Sequence, residues 1–271
     1  MTPDLPLLFE KVDGIALLTF NRPAARNAIS PEVACRLADA FAEIARDPAL
    51  RVVILTGTGD RAFCSGGDLA LTLPLMTGAR APETEWDRRL LEEPEVMERS
   101  ALRGFDLNKP IIAAINGPCM AGGMETVLAT DIRIAARNAT FALPEVRRGL
   151  IPFAGSLVRL PRQIPQCLAM EMLLTGDPIG AEQALAAGMI NRVVDREDLM
   201  DTAWTIARRI AGNGPLAVQE VKRTVLAASG VTLEEGYRME DAAKDRVMAS
   251  EDAREGPRAF MEKRPAAFRG V

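Results

Sequence analysis

The stretch IIAAINGPCMAGGMETVLA, residues 111–129, decides the fold class. Its first six residues form a short apolar run of the kind that fills a strand buried on both faces. A glycine-rich turn follows, and then an apolar segment long enough to begin a helix. The same order occurs earlier: RVVILTG (51–57) is a buried strand and GTGDRAFCSGGDL (57–69) is its glycine turn. Buried strand, glycine turn and helix, repeated, predict an α/β core.

Working outward, the Asp13-Gly14 pair between two apolar runs predicts a hairpin. Ser30-Pro31-Glu32 opens a helix, with a serine N-cap and proline at the first helical position. Val33, Leu37, Phe41 and Ile44 follow helical spacing and face inward, leaving Glu32, Arg36 and Glu43 outside. DIRIAA (131–136) reads as a strand and ATFALPE (139–145) as a turn, with Glu145 opening a helix after Pro144. Residues 70–109 carry prolines and a charged helical segment around Trp86 but no clear strand. Beyond residue 154 the chain reads as helical except for MINRVV (189–194), with Leu199, Ala203, Ile206 and Ile210 on one stripe. One domain is expected, divided into a core over 1–195 and a helical extension over 196–271.

Composition narrows the chemistry. Of 271 residues, 48% are apolar and 26% charged, which is globular. A net charge of −4 argues against nucleic acid, which needs a dense basic surface. No run is long enough for a membrane span, and MTPDLPLLFEKVDG lacks the basic and apolar regions of a secretory signal. The four cysteines are scattered without a CxxC pair and are expected as buried thiols. A cytoplasmic protein is therefore expected. There is no histidine, which removes the commonest general base, the Ser–His and Cys–His pairs and the usual catalytic metal ligand. Proton chemistry near neutrality falls to Cys, Lys, the single Tyr237 or, best of all, carboxylates whose pKa burial can raise.

Glycine turns let a backbone approach a ligand closely, and two facing turns would form a two-donor hole for an oxyanion. Gly67 and Gly122 are the candidate donors. Other readings of the turns fail: residues 57–62 lack the third glycine of a dinucleotide fingerprint, and no GxxxxGK[ST] occurs. Asp68 reads as a helix N-terminal carboxylate.

AFCSGGDL (62–69), AAINGPCMAGGMETVLATDIRIA (113–135) and FALPEVRRGLIP (141–152) together resemble the core motifs of the enoyl-CoA hydratase/isomerase (crotonase) superfamily. NRPAARNAIS (21–30), LTGDPIGAEQALAAGMINRVV (174–194) and SEDAREGPRAFMEKRPAAF (250–268) extend the resemblance over nearly the whole chain. It implies an α/β superhelix of ββα units with a helical C-terminal trimerisation region, assembling as a homotrimer or homohexamer. It also implies that Gly67 and Gly122 supply the oxyanion-hole amides and that Glu125 and Glu145 are the catalytic pair. Arg26, Asn27 and Ala28 fall in the segment that lines the coenzyme A nucleotide site, and Phe260 and Lys263 match positions that complete it, often from a neighbouring subunit. The substrate is expected to be an acyl-CoA thioester, with no metal and no separate cofactor, since coenzyme A is part of the substrate. Ala121 departs from the pattern, standing where a third glycine is usual. The ALPE turn and the SEDAREGP tail resemble those of carnitinyl-CoA-type dehydratases within the family. A hydratase or dehydratase leads; a delta isomerase and an inactive acyl-CoA-binding relative remain alternatives.

Overall fold

The computed structural model describes residues 5–271, so the first four residues of the acidic N-terminal stretch lie outside the described residues. Strands β1 (Leu7–Val12) and β2 (Ile15–Phe20) pair antiparallel with Val12 opposite Ile15. The two turn residues between them, Asp13 and Gly14, both take positive φ, 50° and 77°. That conformation is the mirror-image turn whose twist matches a two-residue hairpin.

Helix α1 (Pro31–Arg46) begins where expected, the Ser30 hydroxyl accepting from the Val33 N–H at 3.3 Å. Val33, Leu37, Phe41 and Ile44 are all buried, while Arg36 reaches back to Glu32 on the outer face. Strand β3 (Val52–Gly57) follows, then three short helices across the irregular region: α2 (Thr72–Met76), α3 (Glu85–Glu92) and α4 (Pro94–Ser100). Here α3 is ordered by a capping box between Thr84 and Asp87, by the Arg36 guanidinium over the Trp86 ring and by a two-bond pairing of Arg89 with Asp39 of α1.

The chain then alternates long and short strands. β4 (Ile111–Ile115) is followed by β5 (Cys119–Met120) and α5 (Gly122–Val127), and β6 (Ile132–Ala136) by β7 (Thr140–Ala142). The long strands join one sheet in the order β1-β2-β3-β4-β6-β9, with β9 at Arg192–Val194; the short ones form a second sheet, β5-β7-β8, with β8 at Ile179–Gly180. Apart from the hairpin, the large sheet is parallel throughout. β8 interrupts a region expected to be helical except at 189–194; two residues are too few to leave a period-two pattern. Helices α6 (Ser156–Gln163), α7 (Gln166–Thr175) and α8 (Ala181–Ala186) pack around these strands.

Alternation within β3 and β4 feeds two cores. Val53, Leu55, Ile111, Ala113 and Ile115 point to the α1 side. Val52, Ile54, Ile112 and Ala114 point to the other face, where α9 (Leu199–Ala211) covers them with Leu199, Ala203 and Ala207. Helix α9 thus lies on the sheet, beyond the division expected at residue 195. Helices α10 (Pro215–Ala228), α11 (Leu233–Met248) and α12 (Asp252–Met261) complete the chain and expose Val221, Val225, Leu233, Tyr237 and Met261. Cys35, Cys64 and Cys119 are buried as expected, but Cys167 is exposed: it lies at the start of α7, on a surface turn of that helix.

Candidate active site

The parallel pairing of β3 with β4 puts the two glycine turns side by side at the carboxyl ends of these strands, the usual place for a ligand in an α/β sheet. They are stitched together directly: the Met120 N–H donates to the Cys64 carbonyl at 2.9 Å, and the Phe63 N–H to Pro118 at 3.0 Å. A β-carbon placed on Gly66 would lie 2.5 Å from the Ala121 β-carbon, and one on Gly123 would lie 2.6 Å from that of Cys64. Only glycine allows this approach. Ala121, at φ 51° and ψ −127°, holds a conformation that costs an L-residue about 1–3 kcal/mol. Its own N–H is anchored on the Ala142 carbonyl at 2.9 Å.

In that conformation the neighbouring amide is left free. Among the described residues the N–H groups of Gly67 and Gly122 donate to no protein acceptor. A β-carbon on Gly122 would lie 3.6 Å from the Gly67 nitrogen, and Gly67 itself faces open space. Both glycines line one cavity of about 390 Å³, within the size range of small-molecule sites.

Glu125 follows Gly122 by one turn of α5 and is only 3% exposed. Its Oε1 accepts three hydrogen bonds: from the Ala154 N–H at 2.8 Å, the Ser156 N–H at 3.1 Å and the Ser156 hydroxyl at 2.8 Å. These donors come from the turn that opens α6, thirty residues away, and the sequence reading missed them. The one available signal was Gly155-Ser156 ahead of an amphipathic helix, a helix-start pattern with no hint of its distant acceptor.

Glu145 lies on a tight 3-10 turn, Pro144–Arg148, rather than at the start of the expected α-helix; Gly149, at φ 68°, ends the turn. Arg147 ties this segment to α7 through the Thr175 carbonyl and Asp177. The Glu145 carboxyl also lines the cavity, and its Oε2 has no partner among the described residues. Burial raises its pKa from 4.5 to about 7; a hydrogen bond from its own backbone N–H opposes this, the negative charge of Glu125 adds to it, and Arg148 opposes it least. Such a group can give or take a proton at neutral pH.

Arg26 joins Gly67, Gly122, Glu125 and Glu145 around the cavity, as do apolar side chains from α1, α2 and α4, including Leu37, Leu73, Met76 and Met97. Other candidates lie elsewhere. Asn27 is 1% exposed and its amide is spent on the chain itself, accepting from the Arg22 N–H and donating to the carbonyls of Thr58 and Ala62. Ala28 is buried beside it. Phe260, 81% exposed on α12, and Lys263 just past its end do not line this cavity. Asp68 takes the structural part expected of it, accepting from the N–H groups of Ala70 and Leu71 and pairing with Arg22. Among the described residues no helix is long and apolar enough to cross a membrane, and no His, Cys, Asp and Glu side chains cluster to ligate a metal.

Comparison with known proteins shows the family of the chain. The family model described as enoyl-CoA hydratase/isomerase matches residues 10–271. Carnitinyl-CoA dehydratase of Proteus mirabilis is 40% identical over 257 residues, covering 93% of this chain and 94% of that protein. Among solved structures, an enoyl-CoA hydratase from Mycobacterium tuberculosis superposes with a TM-score of 0.86 at 37% identity, covering 98% of this chain and 100% of that one. One from Bacillus anthracis superposes with a TM-score of 0.88 at 34% identity and the same coverage.

Proposed function

Because the chain belongs to the enoyl-CoA hydratase/isomerase family, we propose that it is a hydro-lyase, adding water across the 2,3-double bond of an acyl-CoA thioester or removing it in reverse. One observation carries the proposal: two free backbone N–H groups and two carboxyl groups, one with a pKa of about 7, meet in a single cavity. The thioester oxygen sits between the amides of Gly67 and Gly122. When water attacks C3, the electron pair of the double bond moves toward the thioester and negative charge grows on that oxygen. Donors already aimed there stabilise the transition state more than the ground state; one such donor is worth about 2.7–4 kcal/mol.

Glu125, fixed as an acceptor by Ala154 and Ser156, holds the water and takes its proton as the oxygen adds to C3. Protonated Glu145 delivers its proton to C2. One proton leaves water and one reaches carbon, so the pair ends with the same proton count and is reset by transfer between its members. Dehydration follows the same path backwards. An isomerase would need the hole and one carboxyl; a second carboxyl held by three donors favours a bound water. The relative in Proteus mirabilis makes dehydration of a hydroxyacyl thioester the second reading.

Arg26 supplies positive charge at the cavity for the phosphates of coenzyme A, which enters as part of the substrate; no separate cofactor is proposed. The segment at Asn27 and Ala28 shapes that entry. Phe260 and Lys263 would act on a neighbouring copy in a trimer or hexamer, with α10 to α12 forming the contact, in a cytoplasmic enzyme. The test is turnover of crotonyl-CoA, followed by loss of the conjugated thioester absorbance and by product mass. Wild type should add one water, and Glu125→Gln and Glu145→Gln should each abolish turnover while still binding the thioester. Binding without turnover by wild type, across 2-enoyl, 3-enoyl and hydroxyacyl thioesters, would instead identify an acyl-CoA-binding relative.

A further inference from the structure

The turn that holds Glu125 is itself held by a half-buried arginine. Arg159, one turn into α6, places its guanidinium beneath residues 154–155, donating to the Ala154 carbonyl at 3.4 Å and the Ala101 carbonyl at 3.0 Å through Nη1, and to the Leu102 carbonyl through Nη2. No carboxylate pairs with it among the described residues. Gly155, at φ 116°, makes room for it: a β-carbon there would lie 2.9 Å from Nη1. A second arginine crosses the same gap in the opposite direction, Arg103 donating to the Phe153 carbonyl at 3.0 Å. At the crossing Leu102 takes a left-handed φ of 51°, unusual for a side chain of its size.

Both ends of this double strap border the cavity. Ala101, just past the end of α4, lines it on one side, and Phe153 and Ala154 line it on the other. The Ala154 and Ser156 amides then reach Oε1 of Glu125. The charge of Glu125 is also felt at the Arg159 guanidinium, where it partly offsets the effect of burial.

We propose that Arg159 is a positioning residue, clamping the cavity wall at Ala101 and Leu102 to the 153–155 turn so that acyl chain and water-activating carboxylate are set by one rigid piece. This rests on the part assigned to Glu125 above. The planar fork is suited to such a clamp, because a guanidinium can bridge three fixed carbonyls at once, whereas an ammonium keeps the charge but cannot span them. Displacing a catalytic group by about 1 Å costs about 100-fold in rate.

The test compares wild type, Arg159→Lys and Arg159→Met with crotonyl-CoA between pH 5 and 9, with thermal unfolding alongside. Arg159→Met should lose about 100-fold in kcat with KM changed by less than about threefold. Arg159→Lys, which keeps the charge and part of the hydrogen bonding, should lose kcat to a smaller extent, again with KM little changed. Retention of kcat within about twofold in Arg159→Met would overturn the proposal. So would equal losses in both variants that track unfolding temperature, or a loss carried by KM rather than kcat, since those patterns belong to a purely structural arginine. Failure of wild type to hydrate crotonyl-CoA is a different result, overturning the hydro-lyase reading and the positioning part with it.

Discussion

Glu145→Gln is expected to stabilise the protein at pH 8 and to leave its stability unchanged near pH 4.5. In the unfolded chain the carboxyl titrates near 4.5, and in the folded cavity near 7. A raised folded pKa means that the fold favours the protonated acid. That stabilisation is fully present below about pH 4.5, is lost progressively as pH rises toward 7, and is gone above it. At about 1.36 kcal/mol per pKa unit, the ceiling is about 3 kcal/mol. Glu145 is half-buried and opens on a cavity, so solvent screening reduces the expectation to about 1–2 kcal/mol. Glutamine has nearly the same shape and never ionises, so it escapes the loss. For a chain of this size, thermal unfolding should show the variant melting about 3–5 °C above wild type at pH 8 and level with it at pH 4.5. Because burial rather than neighbouring charge is the leading cause, 1 M salt should leave most of the difference intact. An equal difference at both pH values, or a wild type that is the more stable at pH 8, would refute the reasoning.

Other outcomes follow from the same geometry. Ser156→Ala removes one of three donors to Glu125 and should lower kcat by about 10–100-fold with little change in KM, as read from steady-state kinetics. Wild-type kcat/KM should fall about tenfold per pH unit above about 7, as protonated Glu145 is depleted; the profile should be identical for hydration and dehydration, because the overall reaction neither releases nor takes up a proton. A rise through pH 7 would reverse the roles of the two carboxyls. Gly67→Ala, whose new methyl meets nothing within 4 Å, should unfold within about 1 °C of wild type. Gly123→Ala, which forces a contact with Cys64 at 2.6 Å, should lose about 1–3 kcal/mol or fail to fold, as measured by denaturation.

Much of this was legible in the residues. The hairpin at Asp13-Gly14, α1 with its serine cap, and the buried strands at 52–57 and 111–115 all carry local signals: turn chemistry, capping and apolar period. The two glycine turns were visible because close backbone approach requires glycine itself. What escaped was long-range. The donors to Glu125 sit some thirty residues away, and nothing at Ala154 announces a carboxylate partner. Asn27 adds a structural part that its motif segment did not announce: its amide bonds to Arg22, Thr58 and Ala62 within the fold. The order in 70–109 comes from individual pairings, Arg36 on Trp86 and Arg89 on Asp39, that leave no periodic trace.

The contact between Gly66 and Ala121 makes two distant positions a single choice. A methyl group is present at 121, and the 2.5 Å gap leaves no room for another at 66. Ala121→Gly would lift the backbone strain at φ 51° and remove the closest clash, while Gly66→Ala would still press on the Met120 carbonyl at 3.0 Å and the Gly122 nitrogen at 3.1 Å and keep its own φ of 92°. The two substitutions should therefore be epistatic: Gly66→Ala far more damaging in the present background than in one already carrying glycine at 121. Drift at either position of the two glycine turns is thus conditional on the other, and the order in which changes arrive decides which of them the fold tolerates.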